Sequence, residues 1–213
     1  MNFDKLPKQI PIFPLSGVIY FPKTNLPLNI FEQRYLELVN DCYKKDKMMG
    51  MVQSKKGGSE VYKVGCLGKI SDYQKTKDGR LLINLTGLIR FEIKKELFNK
   101  KLYREFEVSY KKFDLDLKSN EVKKENFERV NLNIFVEKTK KFFEKNGLIL
   151  NWKEFEKLSY YQRINTLAMI APVSDEEKQK LLETITLEEK TETILNIIEF
   201  YLHSNPSNGR ILQ

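Results

Sequence analysis

The chain has 213 residues, 41% of them hydrophobic, with two cysteines, one histidine and a formal net charge of +8, which is enough length and apolar content to bury a real core. It has no apolar run near the roughly 20 residues that cross a bilayer and no basic end leading into a continuous apolar leader. Cys42 and Cys66 are too few for a disulfide framework and lack the paired spacing of a zinc site, so a soluble cytoplasmic protein without metal or cofactor is the expectation.

The segment from Ile10 to Tyr35 consists of short apolar runs cut by Pro14, Pro22 and Pro27, each long enough for a strand and too short for a helix. From Glu32 the apolar spacing changes to Tyr35, Leu38/Val39 and Cys42/Tyr43, which predicts an amphipathic helix ending near Lys45 and lying on the strands. Met48 to Gln53 reads as a buried strand and Ser54 to Ser59 as a turn. Val61 to Val64 predicts a short strand that Gly65 interrupts before Cys66 to Tyr73. Asp78-Gly79 is a hairpin turn. It joins two extended runs; Leu81–Leu85 is followed by Thr86-Gly87, Leu88–Ile93 continues with period-two alternation, and Tyr103 to Tyr110 alternates again. Many short strands with glycine punctuation predict a compact barrel-like sheet.

The pattern changes after Lys112–Lys118. From Asn120 it is helical, with Phe127, Val130 and Ile134 on one stripe and Asn146-Gly147 as a stop. Three further helices are predicted, opened by the capping boxes Ser159-x-x-Gln162, Ser174-x-x-Glu177 and Thr186-x-x-Glu189, with Pro172 between the first two. Their stripes are Ile164/Leu167/Ala168/Ala171, Leu181/Leu182/Ile185 and Ile194/Ile197/Ile198/Tyr201, the core of a helical bundle.

Catalytic chemistry is sparse. The single histidine, His203, lies near the C-terminus in a position suited to a helix end, which removes Ser-His-Asp, Cys-His and histidine metal sites together. Gly65-Cys-Leu-Gly68-Lys69-Ile70 fails as a phosphate loop, because the glycines are too close and Ile70 stands where Ser or Thr would hold magnesium. All the net charge lies before Leu117, where 22 Lys+Arg face 14 Asp+Glu. A nucleic acid or an acidic partner fits that half. However, only seven of the 37 cations are arginine, the side chain suited to phosphate and base contacts, and a solvated surface is the favoured reading.

Several motifs resemble the N-terminal domain of Lon protease: Ile12-Phe-Pro-Leu15, Val18-Ile-Tyr-Phe-Pro22, Leu26-Pro-Leu-Asn-Ile-Phe-Glu-Gln-Arg-Tyr35, Gly65 to Ile70, Asp78-Gly79-Arg80 and Gly87-Leu-Ile-Arg-Phe91. Glu177-Lys-Gln-Lys-Leu-Leu182 is similar to a segment of the helical extension in standalone Lon-domain proteins. Lys23 departs from the Gly common after Phe-Pro, Asn29 from a common Arg or His, and Leu102-Tyr103-Arg104 from a preceding Pro. The resemblance implies an α+β fold, with a PUA-like β-barrel-type domain over 1–116 carrying one packed helix, then an α-helical bundle over 117–213. It implies a standalone bacterial form without the ATPase and Ser-Lys protease modules, hence a non-catalytic module that binds unfolded or extended polypeptide or a protein partner. A monomer is favoured and no membrane is involved. RNA binding through the basic β half is the alternative. The candidate peptide- or partner-binding residues are Phe21, Leu26, Phe31, Arg34, Tyr35 and Arg90. Arg34 and Arg90 fit either a ligand carboxylate or a structural tie from strand or helix end to the sheet, with the tie favoured; Phe13, Phe21, Ile30, Phe31 and Tyr35 fit core as well as contact surface.

Overall fold

The computed structural model describes residues 6–58, 60–117 and 132–203. Six strands form a mixed sheet: β1 (Gln9–Leu15), β2 (Asn25–Ile30), β3 (Met48–Ser54), β4 (Val61–Lys75), β5 (Leu81–Leu97) and β6 (Arg104–Ser109). The order is β2-β5-β4-β3-β1-β6, and β6 also pairs with β5, so β5, β4, β3, β1 and β6 close on themselves and β2 extends the sheet as a flap. Only β1 and β3 run parallel. Helix α1 (Gln33–Tyr43) connects β2 to β3. After β6 a 3-10 turn (Lys111–Leu117) leads on, and the described remainder is helical: α2 (Leu132–Lys145), α3 (Trp152–Lys157), α4 (Tyr160–Ile170), α5 (Asp175–Glu183) and α6 (Leu187–His203). The α+β class expected from the sequence is the class observed.

The prolines of β1 sit where the strand has a neighbour on one side only. Pro11 lies opposite Glu105 of β6 before the β3 ladder begins, and Pro14 lies opposite Val52 of β3 after the β6 ladder has ended. Pro27 lies on β2, which pairs with β5 alone.

Four elements differ from the sequence expectation. Val18–Phe21 is not a strand, although Ile19, Tyr20 and Phe21 are buried. Its end docks on β5 at Gly87: Lys23 N–H donates to the Gly87 carbonyl and Gly87 N–H to that of Thr24, both at 2.9 Å. A Cβ on Gly87 would stand 2.0 Å from the Phe21 carbonyl oxygen, so only glycine allows that approach. Gly65 does not interrupt β4. It is pressed against the Met51 carbonyl and the Phe91 ring, a close approach rather than a break. The runs on either side of Thr86-Gly87 form one 17-residue strand, with a register shift opposite Leu67/Gly68. The C-terminal part has one more helix than expected, the short α3, capped by the Asn151 side chain accepting from Glu154 N–H.

The predicted boxes at Ser159 and Ser174 are both complete. At Thr186 the hydroxyl accepts from Glu189 N–H, but the Glu189 carboxylate takes the N–H of Ile185. Phe127 and Val130 lie outside the described residues. Ile134 is surface-exposed and the buried stripe of α2 is Phe135, Phe142 and Phe143; Ile185 is exposed while Leu181 and Leu182 are buried.

The sheet buries both faces. One cluster joins α1 (Tyr35, Leu38, Val39, Cys42) to Phe13, Met49, Met51, Leu85 and Tyr103. The other is continuous from strand residues Ile10, Ile12, Val64, Ile89 and Phe91 into Phe135, Phe142, Leu167, Leu181 and Ile194 of the helices. Two buried basic side chains link separate elements there. Arg90 of β5 grips the Asp116 carboxylate at 2.9 and 2.8 Å, donates to the Leu182 carbonyl at 3.0 Å and to that of Thr184, and stacks on Phe113. Lys190 of α6 donates to Asn165 Oδ1 at 2.7 Å with its Nζ 3.9 Å from the centre of the Phe21 ring. Burial, with Arg90 as a like charge, holds Lys190 well below the ordinary lysine range.

Candidate functional site

Helix α1 carries its apolar stripe inward and leaves both ends at the surface. Phe31, just ahead of the helix, is 66% exposed. Glu32, the residue before the first turn, makes no side-chain cap; its carboxylate pairs with Arg34 at 2.8 Å instead. The Arg34 guanidinium lies 4.5 Å over the Tyr35 ring, which turns inward against Phe13.

Beside α1 runs the connection from β5 to β6, residues 98–103. Its two large apolar side chains point outward, Phe98 at 98% and Leu102 at 57% exposure. Polar bonds fix this connection from within. Asn99 donates to Glu105 and accepts from Lys101 N–H; Lys101 Nζ pairs with Glu105 at 2.7 Å; and Leu102 N–H donates to Glu37 of α1 at 3.4 Å. Tyr103 donates its hydroxyl to Asp41 of α1 at 2.9 Å, and burial raises its phenol above the ordinary range. Arg104 grips Glu96 through two bonds of 2.7 Å, an arrangement that holds the Glu96 carboxyl below its ordinary range.

Three hollows follow one another along this side of α1. The first, about 420 Å³, lies between Glu96–Asn99 and Lys101–Arg104. It shares Tyr103 with a narrow cleft of about 70 Å³ at Asp41, Cys42 and Lys45. That cleft shares Lys45 and Asp46 with an open hollow of about 560 Å³ that continues to Lys47, Lys69, Ser71, Thr86 and Leu88. The three hollows adjoin at these shared residues, with the partly buried bond from Tyr103 to Asp41 between the first two, and the series, here called the furrow, has an apolar end at Phe98 and Leu102 and a lysine-rich end past the C-terminus of α1.

The six residues singled out by sequence separate into two groups. Phe21, Tyr35 and Arg90 are buried, Arg90 at 3%, and in this conformation present no surface to a ligand. Phe31 and Arg34 are exposed at the start of α1, and Leu26 is half-buried on β2, packed against the α1 cluster. Sequence reasoning missed Phe98 and Leu102. A phenylalanine between Leu97 and Asn99-Lys100-Lys101, at the end of an alternating run, was the available signal.

Nucleophile chemistry does not converge on the furrow. Burial pushes the Cys42 thiol up to about 12 and raises that of Cys66 well above its ordinary range. Among the described residues no helix is long and apolar enough to cross a membrane.

Residues 9–199 match the family model of the ATP-dependent protease La (LON) substrate-binding domain. The chain belongs to that family. Lon protease of Syntrophus aciditrophicus is 26% identical over 209 residues, covering 93% of this chain and 26% of that protein. Lon protease 2 of Myxococcus xanthus is 26% identical over 208 residues, covering 93% and 24%. The chain thus spans about a quarter of the length of these Lon relatives. Two solved structures share the fold: a Lon N-terminal domain protein from Xanthomonas campestris (TM-score 0.64, 22% identity, 88% of this chain and 97% of that one) and the N-terminal domain of Mycobacterium avium complex Lon protease (TM-score 0.64, 14% identity, 90% and 98%). Lys23 has φ 61°, in the left-handed region that favours glycine, so its side chain strains the backbone there.

Proposed function

We propose that this Lon substrate-binding domain is a non-catalytic recognition module that captures extended or unfolded polypeptide along the furrow beside α1, with Phe98, Leu102 and Phe31 as apolar anchors. The observation that carries the reading is the pair Phe98 and Leu102, held outward at the mouth of a furrow by a hydrogen-bonded connection. Large apolar side chains fixed in water beside a groove mark an interaction surface.

Capture by side-chain contact is favoured over strand addition. Within the described sheet, β1, β3, β4 and β5 have neighbours on both sides and β6 pairs with β1 and β5, which leaves the outer edge of β2 open. Pro27 at the middle of β2 has no N–H to offer an added strand.

The test is fluorescence anisotropy with a labelled, unfolded, aromatic-rich peptide. Phe98→Ser with Leu102→Ser is expected to weaken binding by about tenfold or more, since each buried side chain of this size contributes about 1.5–3 kcal/mol, while the urea midpoint stays at the wild-type value. Unchanged affinity in a folded double variant would remove the anchors from the mechanism.

A further inference from the structure

We propose that the lysine end of the furrow is a docking site for acidic stretches of polypeptide, so that the preferred partner carries a cluster of Asp or Glu a few residues away from its aromatic anchor. This rests on the furrow being a polypeptide-recognition surface, and it adds a second, electrostatic specificity to that surface.

The two ends differ in how their charges are used. At the apolar end both cations that line the hollow are matched, Lys101 with Glu105 and Arg104 with Glu96, as is Arg34 with Glu32 at the start of α1, whereas Lys100 is exposed in the same connection without an ion pair among the described residues. At the other end Lys45, Lys47 and Lys69 converge on the 560 Å³ hollow, and among the described residues none of the three has a carboxylate within ion-pair distance. Asp46 lines the same hollow, with its Oδ1 accepting the N–H of Met48 at 3.0 Å. Three ammonium groups against one carboxylate leave the hollow net positive.

The terminus of α1 does not account for this arrangement. Its last carbonyls are met by backbone donors, Asn40 O by Lys44 N–H and Cys42 O by the N–H groups of Lys45 and Lys47. Lys69 comes from β4, a different element. Ser71 and Thr86, whose hydroxyls lie 3.0 Å apart, add hydrogen-bonding groups beside the lysines, and Ile70 and Leu88 supply apolar floor.

Both a polypeptide and a nucleic acid can be anionic, and the local chemistry favours the polypeptide. The hollow is lined by lysine and no arginine, and planar, bidentate phosphate recognition is arginine's strength. The neighbouring exposed ring, Tyr43, is already stacked on Tyr73 at 4.2 Å and carries the Lys47 ammonium 4.5 Å from its centre, which leaves it poorly placed to receive a base. Leu102 N–H meets Glu37 in the middle of α1 and the lysine end begins at Lys45, so the two ends lie about 12 Å apart along the helix at 1.5 Å per residue, the reach of about four residues of extended chain.

The test uses three labelled fourteen-residue peptides: one with an aromatic pair and, four residues on, four acidic residues; one with those acids replaced by Gln and Asn; and one with the aromatics replaced by Ser. A single-stranded RNA dodecamer is the fourth probe. Each is titrated at about 50 and about 200 mM salt against wild type, Lys45→Gln/Lys69→Gln and Phe98→Ser/Leu102→Ser, all checked for a normal urea midpoint. The acidic cluster is expected to raise affinity about tenfold at the lower salt, with most of that gain lost at the higher salt and in the lysine variant. In the Phe98/Leu102 variant overall affinity falls, but the advantage of the acidic over the amidated peptide persists. Equal affinity for those two peptides in wild type overturns the proposal while leaving the apolar reading intact. RNA bound more tightly than the acidic peptide, with the same dependence on Lys45 and Lys69, overturns it in favour of a nucleic-acid groove. Loss of aromatic dependence with charge dependence retained refutes the apolar anchors instead and leaves the lysine site standing.

Discussion

Replacing Arg90 tests whether it is a structural tie or a ligand contact. Arg90→Met removes the guanidinium and keeps an unbranched apolar chain on Phe113. The buried Asp116 carboxylate then retains one donor, the backbone N–H of residue 90 at 3.0 Å. Stranding a buried charge in this way costs about 3–5 kcal/mol. The Leu182 and Thr184 carbonyls lose their Arg90 donor as well, which adds about 1–3 kcal/mol, partly offset by the apolar stem. A loss of at least about 4 kcal/mol is expected, a large share of the roughly 5–15 kcal/mol that holds a protein folded. Urea denaturation followed by circular dichroism measures it, with an unchanged slope as the condition for comparison. Arg90→Met/Asp116→Leu, which also removes the stranded carboxylate, should recover about 2 kcal/mol or more, a coupling that independent residues would not show. A single variant within about 1 kcal/mol of wild type that no longer binds peptide would refute the tie and restore Arg90 as a contact residue.

Lys190 is held below its ordinary value of 10.5, so the unfolded chain binds the extra proton and wild-type stability rises with pH between the folded value and 10.5, by up to about 1.4 kcal/mol per unit. Lys190→Met should abolish that slope, and urea midpoints of both proteins at pH 7, 8 and 9 should converge as pH rises; parallel midpoints would refute a neutral buried amine. We propose that the change near residue 116 is a boundary of secondary structure within one folding unit, because Val64, Ile89 and Phe91 share a buried cluster with Phe142, Leu167 and Ile194. A chain ended after Leu117 is then expected to lose dispersed proton chemical shifts, and a native-like spectrum would show two independent domains. Ser174→Ala should cost about 1 kcal/mol by removing a complete capping box, read as a lower melting temperature with peptide binding unchanged.

The strands were legible where alternation and turn chemistry agreed, as at Asp78-Gly79 between β4 and β5. The capping serines at 159 and 174 gave the starts of α4 and α5 to the residue. What failed was reading glycine as punctuation. At Gly65 and Gly87 its role is close approach of another backbone or ring, which depends on a neighbour distant in sequence. Val18–Phe21 looked like a strand because burial was inferred from composition, yet the backbone bonds to Gly87 of β5 are made by Lys23 and Thr24, while the N–H and carbonyl of Phe21 turn back on Thr24. Ile134 and Ile185 fell on the wrong side of their stripes for want of knowing which neighbour each helix faces. Arg90 shows the same limit for a site. The sequence allowed both a ligand contact and a tie, and only the positions of Asp116 and the end of α5 favour the tie.

The placement of the proposed recognition surface follows from how the two cores are divided. The C-terminal helices cover one side of the sheet, and α1, with its inward stripe, covers the other, so apolar side chains left over are displaced to the rim. Phe98 and Leu102 are such residues, and their setting is what gives them binding value. On a floppy loop each ordered side chain would give back about 0.5–1.5 kcal/mol on binding. Here Asn99, Lys101 and Glu105 brace the connection, and Glu37 and Asp41 of α1 anchor its end. Much of the ordering is therefore done in folding. The same bonds neutralise the charges beside the apolar end, which lowers the cost of covering them with a partner, whereas Lys45, Lys47 and Lys69 stay available further along the furrow. On the proposed reading, a braced apolar mouth joined to an open cationic hollow holds diverse sequences by the first and sorts them by the second.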